Sequence, residues 1–151
     1  MSVQRSIRKV ALILLLPLVL WGCDVTGAPD IEEALTVVSE QAQYTLNPVA
    51  EVTLVVTNKS PQALFLPTCG PNLSYSVERR VRATWKTHSV VLCPAVLGWE
   101  DKRVAPGATF RFTVRISEEG RYRVHLSYET SPDAEPSKNV RSEVFVVKAN
   151  A

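Results

Sequence analysis

Polar and apolar residues alternate with a period of two along most of the chain. In "EVTLVVT" (Glu51 to Thr57), Val52, Leu54 and Val56 share one face, and Glu51, Thr53, Val55 and Thr57 share the other. "FRFTVRI" sets Phe110, Phe112, Val114 and Ile116 inward, against Arg111, Thr113 and Arg115. "RYRVHLSY" does the same with Tyr122, Val124, Leu126 and Tyr128. Such alternation marks strands with one face on a core and one in water, the habit of antiparallel sheets. Further strands are expected over residues 34–39, 63–66, 73–79, 89–92 and 140–148. Turn formers separate them, as in "NKSPQ", "CGPN", "APG", "EEG" and "SPDAEPS". Short strands at this spacing predict an all-β chain folded as an antiparallel β-sandwich of about seven to nine strands. No long amphipathic helical pattern follows Gly27.

One apolar run breaks the rule. Val10 to Leu20 is continuous and about 11 residues long, whereas a membrane-spanning helix needs roughly 20. Arg5, Arg8 and Lys9 precede it and small residues follow at Gly22 and Cys23. A positive segment, a short apolar segment and small residues form the layout of a cleaved secretory signal peptide. Pro17 would weaken a permanent helix and is tolerable in a segment that is removed.

"LWGC" resembles the lipobox of bacterial lipoproteins, with Leu20, Gly22 and Cys23 in the matching places and Trp21 bulkier than usual. The resemblance implies that Cys23 receives lipid, palmitate included, and becomes the mature N-terminus. Ordinary cleavage after "TGA" (Thr26 to Ala28) is the competing expectation. The implied organisation is a signal peptide over residues 1–22, a lipidated N-terminus and tether over 23–30, and one sandwich domain over 31–151. "DVTGAPD" suits a tether because it is short, polar and interrupted by Gly and Pro.

Lipidation would also resolve the odd cysteine count. Of three Cys, one would carry lipid, leaving Cys69 and Cys93 in an oxidising compartment where a disulfide persists. Closing that loop of about 24 residues stabilises a fold by roughly 3.5 kcal/mol in the chain-entropy treatment. A zinc site would want closely spaced ligand pairs, and His88 is the nearest candidate to either Cys. Asp24, just after Cys23, resembles an inner-membrane retention signal of some bacteria; which membrane is left open.

Charge looks different after export. Removing Arg5, Arg8 and Lys9 from 17 basic residues leaves 14 against 15 acidic ones, a formal −1 in place of +2. The basic pI of the full chain belongs to the targeting segment and gives no support to nucleic-acid binding.

The series "VTLVVTNKS", "YSVERRVRATW", "VAPGATFRFTV" and "GRYRVHLSY" resembles the immunoglobulin-like sandwich domains of bacterial envelope lipoproteins. "GRYRVHL" resembles the strand that carries a tyrosine corner, which implies that the Tyr122 hydroxyl bonds a nearby backbone group. The same series resembles the bacterial intracellular proteinase inhibitor family through Asn58, Tyr75, Trp85, Pro106, Gly107, Gly120 and Tyr122. These matched positions define shape more than activity, because one fold hosts many functions.

The remaining polar residues divide between chemistry and plain surface. "ERRVR" (Glu78 to Arg82) could grip an anionic headgroup or glycan, but reads first as a solvated strand edge. Arg121, Arg123 and His125 share the outer face of one strand. His88 is expected exposed, at a loop or strand start. Trp85 is expected in the core. Trp99, in the "LGWEDK" loop, is a possible partner contact, or folds back over the sandwich edge. The mature chain has no Met, which excludes a thioether copper site. No metal site, cofactor motif or catalytic constellation is apparent. The expected function is a non-catalytic, lipid-anchored cell-envelope protein, outside the cytoplasm, whose sandwich binds or braces a protein or glycan. The alternative is a proteinase inhibitor acting through the sandwich loops.

Overall fold

The computed structural model describes residues 34–91, 99–132 and 138–150. Cys23, Cys93, the signal peptide and the tether lie outside these residues. Residues 31–151 form one compact unit. Its strands are β1 (Leu35–Ser39), β2 (Gln43–Leu46), β3 (Ala50–Asn58), β4 (Leu64–Cys69), β5 (Asn72–Leu73) and β6 (Ser76–Val81). They continue with β7 (Thr84–Val90), β8 (Trp99–Val104), β9 (Thr109–Ile116), β10 (Gly120–Tyr128), β11 (Lys138–Arg141) and β12 (Phe145–Ala149). Among the described residues there is no helix.

The strands form three sheets. One runs β1-β3-β9, the larger runs β2-β12-β10-β6-β7 with β11 also on β10, and the third runs β5-β4-β8. Every pairing is antiparallel except that of β2 with β12. The third sheet is tied to the larger one where Phe65 and Glu129 exchange two backbone hydrogen bonds of 2.9 Å. Two facing antiparallel sheets, with the second strand crossing to lie parallel to the last, make an immunoglobulin-like β-sandwich.

The core lies where the alternation puts it. Val52, Leu54 and Val56 of β3 meet Val124 and Leu126 of β10 in one buried cluster, with Leu35, Val114 and Ile116. Tyr122 and Phe145 are the largest fully buried side chains, and their rings stack at 6.1 Å between centroids. Phe110 and Phe112 depart from the expectation that they point fully inward. They are half-buried at the end of β9, where the third sheet leaves the sandwich open.

Five elements differ from the sequence reading, one of them β7, which begins at Thr84, five residues before the strand expected over 89–92. Residues 140–148 are two strands, because Ser142 interrupts them. Its backbone N–H donates to Val124 O at 2.8 Å, and its hydroxyl accepts from Val124 N at 2.8 Å, so one side chain fills a gap in the ladder. Residues 73–79 likewise divide at Ser74 and Tyr75 between β5 and β6. The short β2 and the charged β8 were not anticipated. β8 hydrogen-bonds β4 alone, and charges along such a strand discourage pairing with other chains; this is why it lacks the alternation of a half-buried strand.

Asn58 closes the open end of β3 and explains a match that the sequence presents only as a pattern. It is fully buried. Its amide nitrogen donates to the carbonyls of Gln62 at 2.7 Å, Val104 at 3.0 Å and Ala105 at 3.1 Å. Its carbonyl oxygen accepts from the backbone and hydroxyl of Ser60 at 2.9 and 2.8 Å. One side chain therefore fixes the "NKSPQ" turn and the "APG" turn together. Gly107 stands in that second turn with φ of 71°, a conformation that disfavours residues with a Cβ.

Candidate functional site

The outer face of the larger sheet gathers most of the chemistry-bearing residues. Period two sends Glu78 and Arg80 of β6 outward, together with Arg121, Arg123 and His125 of β10 and Arg141 of β11. Antiparallel register then sets them side by side. Arg123 lies opposite Glu78, His125 opposite both Ser76 and Arg141, and Arg80 opposite Trp85 of β7. The β6–β10 ladder ends at the pair of Arg79 with Tyr122, and Arg80 and Arg121 are the residues that follow it on the two strands.

Glu78 is the acid at the centre of this face. The Arg123 Nε donates to its carboxylate at 2.6 Å, and Arg141 Nε stands 3.6 Å from the same oxygen. The Arg123–Glu78 pair is well covered, with side chains 22% and 18% exposed. The Arg123 guanidinium also lies 4.4 Å from the Trp85 ring centroid, a cation–π contact that helps hold both groups. Arg80 and Arg121 are exposed and have no carboxylate partner among the described residues. His125 Nε2 is buried and has no hydrogen-bond partner.

Two sequence expectations change here. Trp85 is half-buried on the outer face under Arg123, and is not a core residue; pairing with Arg80 fixes its side of the sheet. "ERRVR" does not form a strand edge, since β6 lies between β10 and β7. A strand flanked on both sides is protected by its neighbours, so edge protection does not account for its charges.

Beneath this face sits the turn leading into β10. Tyr122 is fully buried, and its hydroxyl donates to Glu118 O at 2.9 Å. Arg79 reaches the same turn, bonding the Glu118 carboxylate and donating to Glu119 O at 2.6 Å, with its guanidinium 5.9 Å from the Tyr122 ring centroid. A Cβ on Gly120 would stand 2.8 Å from Arg79 Nε and 3.2 Å from Tyr122 Cε2. The Gly-x-Tyr spacing thus lets the ring and the guanidinium close over the turn. Burial pushes the Tyr122 phenol above its ordinary range, and the Tyr75 phenol also rises by burial. His88 lies inside β7 and is not exposed at a loop or strand start. It is the extra residue of a β-bulge, since Val77 pairs with Ser89 and Glu78 with Thr87. It is half-buried, with its ring 5.3 Å from that of Tyr122.

A concavity of about 340 Å³ opens where the third sheet meets β9. Phe110 and Phe112 form its apolar wall, Glu100 and Asp101 its acidic side, and Lys102 stands 4.7 Å from the Phe110 ring centroid. Cys69 is buried at the end of β4, opposite Trp99 in the β4–β8 register. Trp99 therefore begins a strand instead of lying in a loop. The Cys69 partner proposed from sequence, Cys93, lies outside the described residues. Among the described residues no three His, Cys, Asp or Glu side chains gather as a metal site. No described helix is long and apolar enough to cross a membrane.

No family model matches the chain, and no curated protein matches it. Among solved structures it is similar to the CARDB domain of a Pyrococcus furiosus protein in complex with di-metal ions. That match has 16% identity and a TM-score of 0.37, and covers 76% of this chain and 91% of that one. It is also similar to a Pseudomonas fluorescens alkylpurine DNA glycosylase bound to DNA containing an abasic site analog, at 10% identity and a TM-score of 0.38. This chain spans 31% of that glycosylase, with 77% of its own length covered. A Listeria innocua β-glucosidase matches at 13% identity and a TM-score of 0.38, over 76% of this chain and 16% of that enzyme. At these scores the likenesses carry no argument about metal, nucleic acid or catalysis; the class stated above stands on sheet order and register.

Proposed function

We propose that this chain is a non-catalytic, lipid-anchored protein of the bacterial cell envelope whose sandwich binds or braces another macromolecule. The observation that supports binding is the outer face of the larger sheet, where Arg123 and Arg141 share Glu78 and Arg80 and Arg121 stand exposed with no carboxylate partner among the described residues. Arginine offers a rigid fork of donors that fits carboxylate and phosphate groups. Anchoring rests on the lipobox-like "LWGC" at Cys23 and the short tether after it. The domain then lies outside the cytoplasm, where Cys69 and Cys93 are able to form a disulfide.

Two measurements test the reading. Metabolic labelling with palmitate should mark the wild-type chain and not Cys23→Ala, which should accumulate as precursor or soluble protein; labelling of that variant would exclude the anchor. Wild-type protein should retain a partner from envelope extracts and should leave a panel of proteases active. Tight stoichiometric inhibition of one protease would instead favour an inhibitor acting through the loops.

A further inference from the structure

We propose that the arginine face of the larger sheet binds a carboxylate-bearing polysaccharide laid along it. The inference rests on reading the domain as a binding module, and is independent of the lipid anchor.

The first observation is two like charges without a counter-charge. Like charges on neighbouring strands destabilise a sheet, and Arg80 and Arg121 are the outward residues that directly follow the last pair of the β6–β10 ladder, Arg79 with Tyr122. Glu78 is already shared by Arg123 and Arg141, and among the described residues no carboxylate is paired with Arg80 or Arg121. An anion set between Arg80 and Arg121 would turn this repulsion into two charge-assisted hydrogen bonds. Such bonds are roughly twice as strong as neutral ones.

The second observation is local charge. The chain is close to neutral, so its overall field draws no polyanion in. The excess on this face comes from sheet order, which brings β6 beside β10 and β11 although it lies far from them in sequence.

The third observation is the company these arginines keep. Trp85 stands beside Arg80 as a half-buried ring, and Thr87, Ser127 and Asn139 alternate outward on β7, β10 and β11. The hydroxyl and amide groups suit sugar hydroxyls, and the arginines suit the carboxylates. Neighbouring strands are about 4.8 Å apart and outward residues on one strand about 6.7 Å apart, so the face offers a row of charge instead of one pocket. Binding to a phospholipid layer scales with the apolar area inserted into it, and the centre of this face carries no exposed apolar residue.

The test uses the mature full-length protein in detergent, with polygalacturonate as the probe and dextran as the neutral polymer. Binding is read by titration calorimetry and by tryptophan emission. Wild type should bind polygalacturonate in a salt-sensitive way and ignore dextran. Arg80→Ser with Arg121→Ser should weaken binding by about tenfold or more, and Arg80→Lys with Arg121→Lys should restore part of it. Arg111→Ser with Arg115→Ser, which removes the same charge from the other sheet, should change little. Far-UV circular dichroism should match wild type in every variant. Equal weakening by the two serine pairs would overturn the proposal, as would dextran binding. So would attachment to phosphatidylglycerol vesicles, dependent on Arg80 and Arg121, with no binding of polygalacturonate. If wild type holds an envelope partner through another face and ignores polygalacturonate, this inference fails while the binding module stands. If it retains neither, both fail.

Discussion

The Tyr122 hydroxyl donates to the carbonyl of Glu118, four residues earlier, at 2.9 Å. The bond runs from a fully buried ring to the turn that delivers the chain into β10. It therefore pins the start of the strand on which both the core and the arginine face are built. Glu118 is exposed, so water is able to serve its carbonyl when the phenol is gone. Tyr122→Phe should destabilise the domain by about 0.5–1.5 kcal/mol without unfolding it. Urea melts of wild type and variant should show the difference as a lower midpoint at unchanged slope; coincident melts would show that the bond contributes nothing.

Asn58 offers a sharper test, because its two ends face different partners. Asn58→Asp keeps the shape but turns an oxygen toward the carbonyls of Gln62, Val104 and Ala105. Losing the two N–H donors that serve these three carbonyls, with acceptors left facing an acceptor in a buried site, should cost about 3 kcal/mol or more. Asn58→Ser should cost less, since a hydroxyl still donates once. The order of the two thermal midpoints checks the argument.

Stability should fall at alkaline pH. Burial raises the Tyr122 phenol in the folded state, with Tyr75 shifted the same way. A raised folded pKa means that the unfolded chain loses its proton first. The contribution is complete below the unfolded value near 10 and is lost as pH rises from there through the folded value. Denaturation midpoints should be flat with respect to these groups near neutrality and decline above about pH 10. Tyr122→Phe should show a shallower decline than wild type, and an equal decline would assign the effect elsewhere.

The Cys69–Cys93 disulfide is expected in protein taken from its native envelope. Cys69 is buried and lies opposite Trp99 in the register, so a bridge would tie the end of β4 to the segment leading into β8. Non-reducing peptide mass spectrometry should find the linked pair. Reduction, or Cys69→Ser with Cys93→Ser, should lower stability by about 2–4 kcal/mol. Two free thiols in the native protein would remove the bridge.

Gly120 should resist substitution for a reason that a lone turn glycine would not share. Gly120→Val places branched carbons against Arg79 and the Tyr122 ring. Arg79 must then leave Glu118 and Glu119, and the loss should be about 1–3 kcal/mol, as for overpacking elsewhere. Adding Arg79→Ala should relieve part of that loss in a double-mutant cycle.

Period-two alternation by itself determined that this chain forms an antiparallel sandwich, and it assigned Val52, Leu54, Val56, Tyr122, Val124 and Leu126 to the core. That information is local, because successive side chains of a strand point to opposite faces wherever the strand lies. It also put Arg121, Arg123 and His125 on one outer face. The tertiary structure decided which strands became neighbours. β6 lies between β10 and β7, so Glu78 meets Arg123 and Arg141, Arg80 lies opposite Trp85, and Trp85 lies under a guanidinium instead of in the core. Pairing and register come from packing the whole sheet, and no window of sequence contains them. The same reason hid the part played by Asn58: its five hydrogen bonds reach from Ser60 to Ala105, and only the folded chain brings those two turns within reach of one side chain.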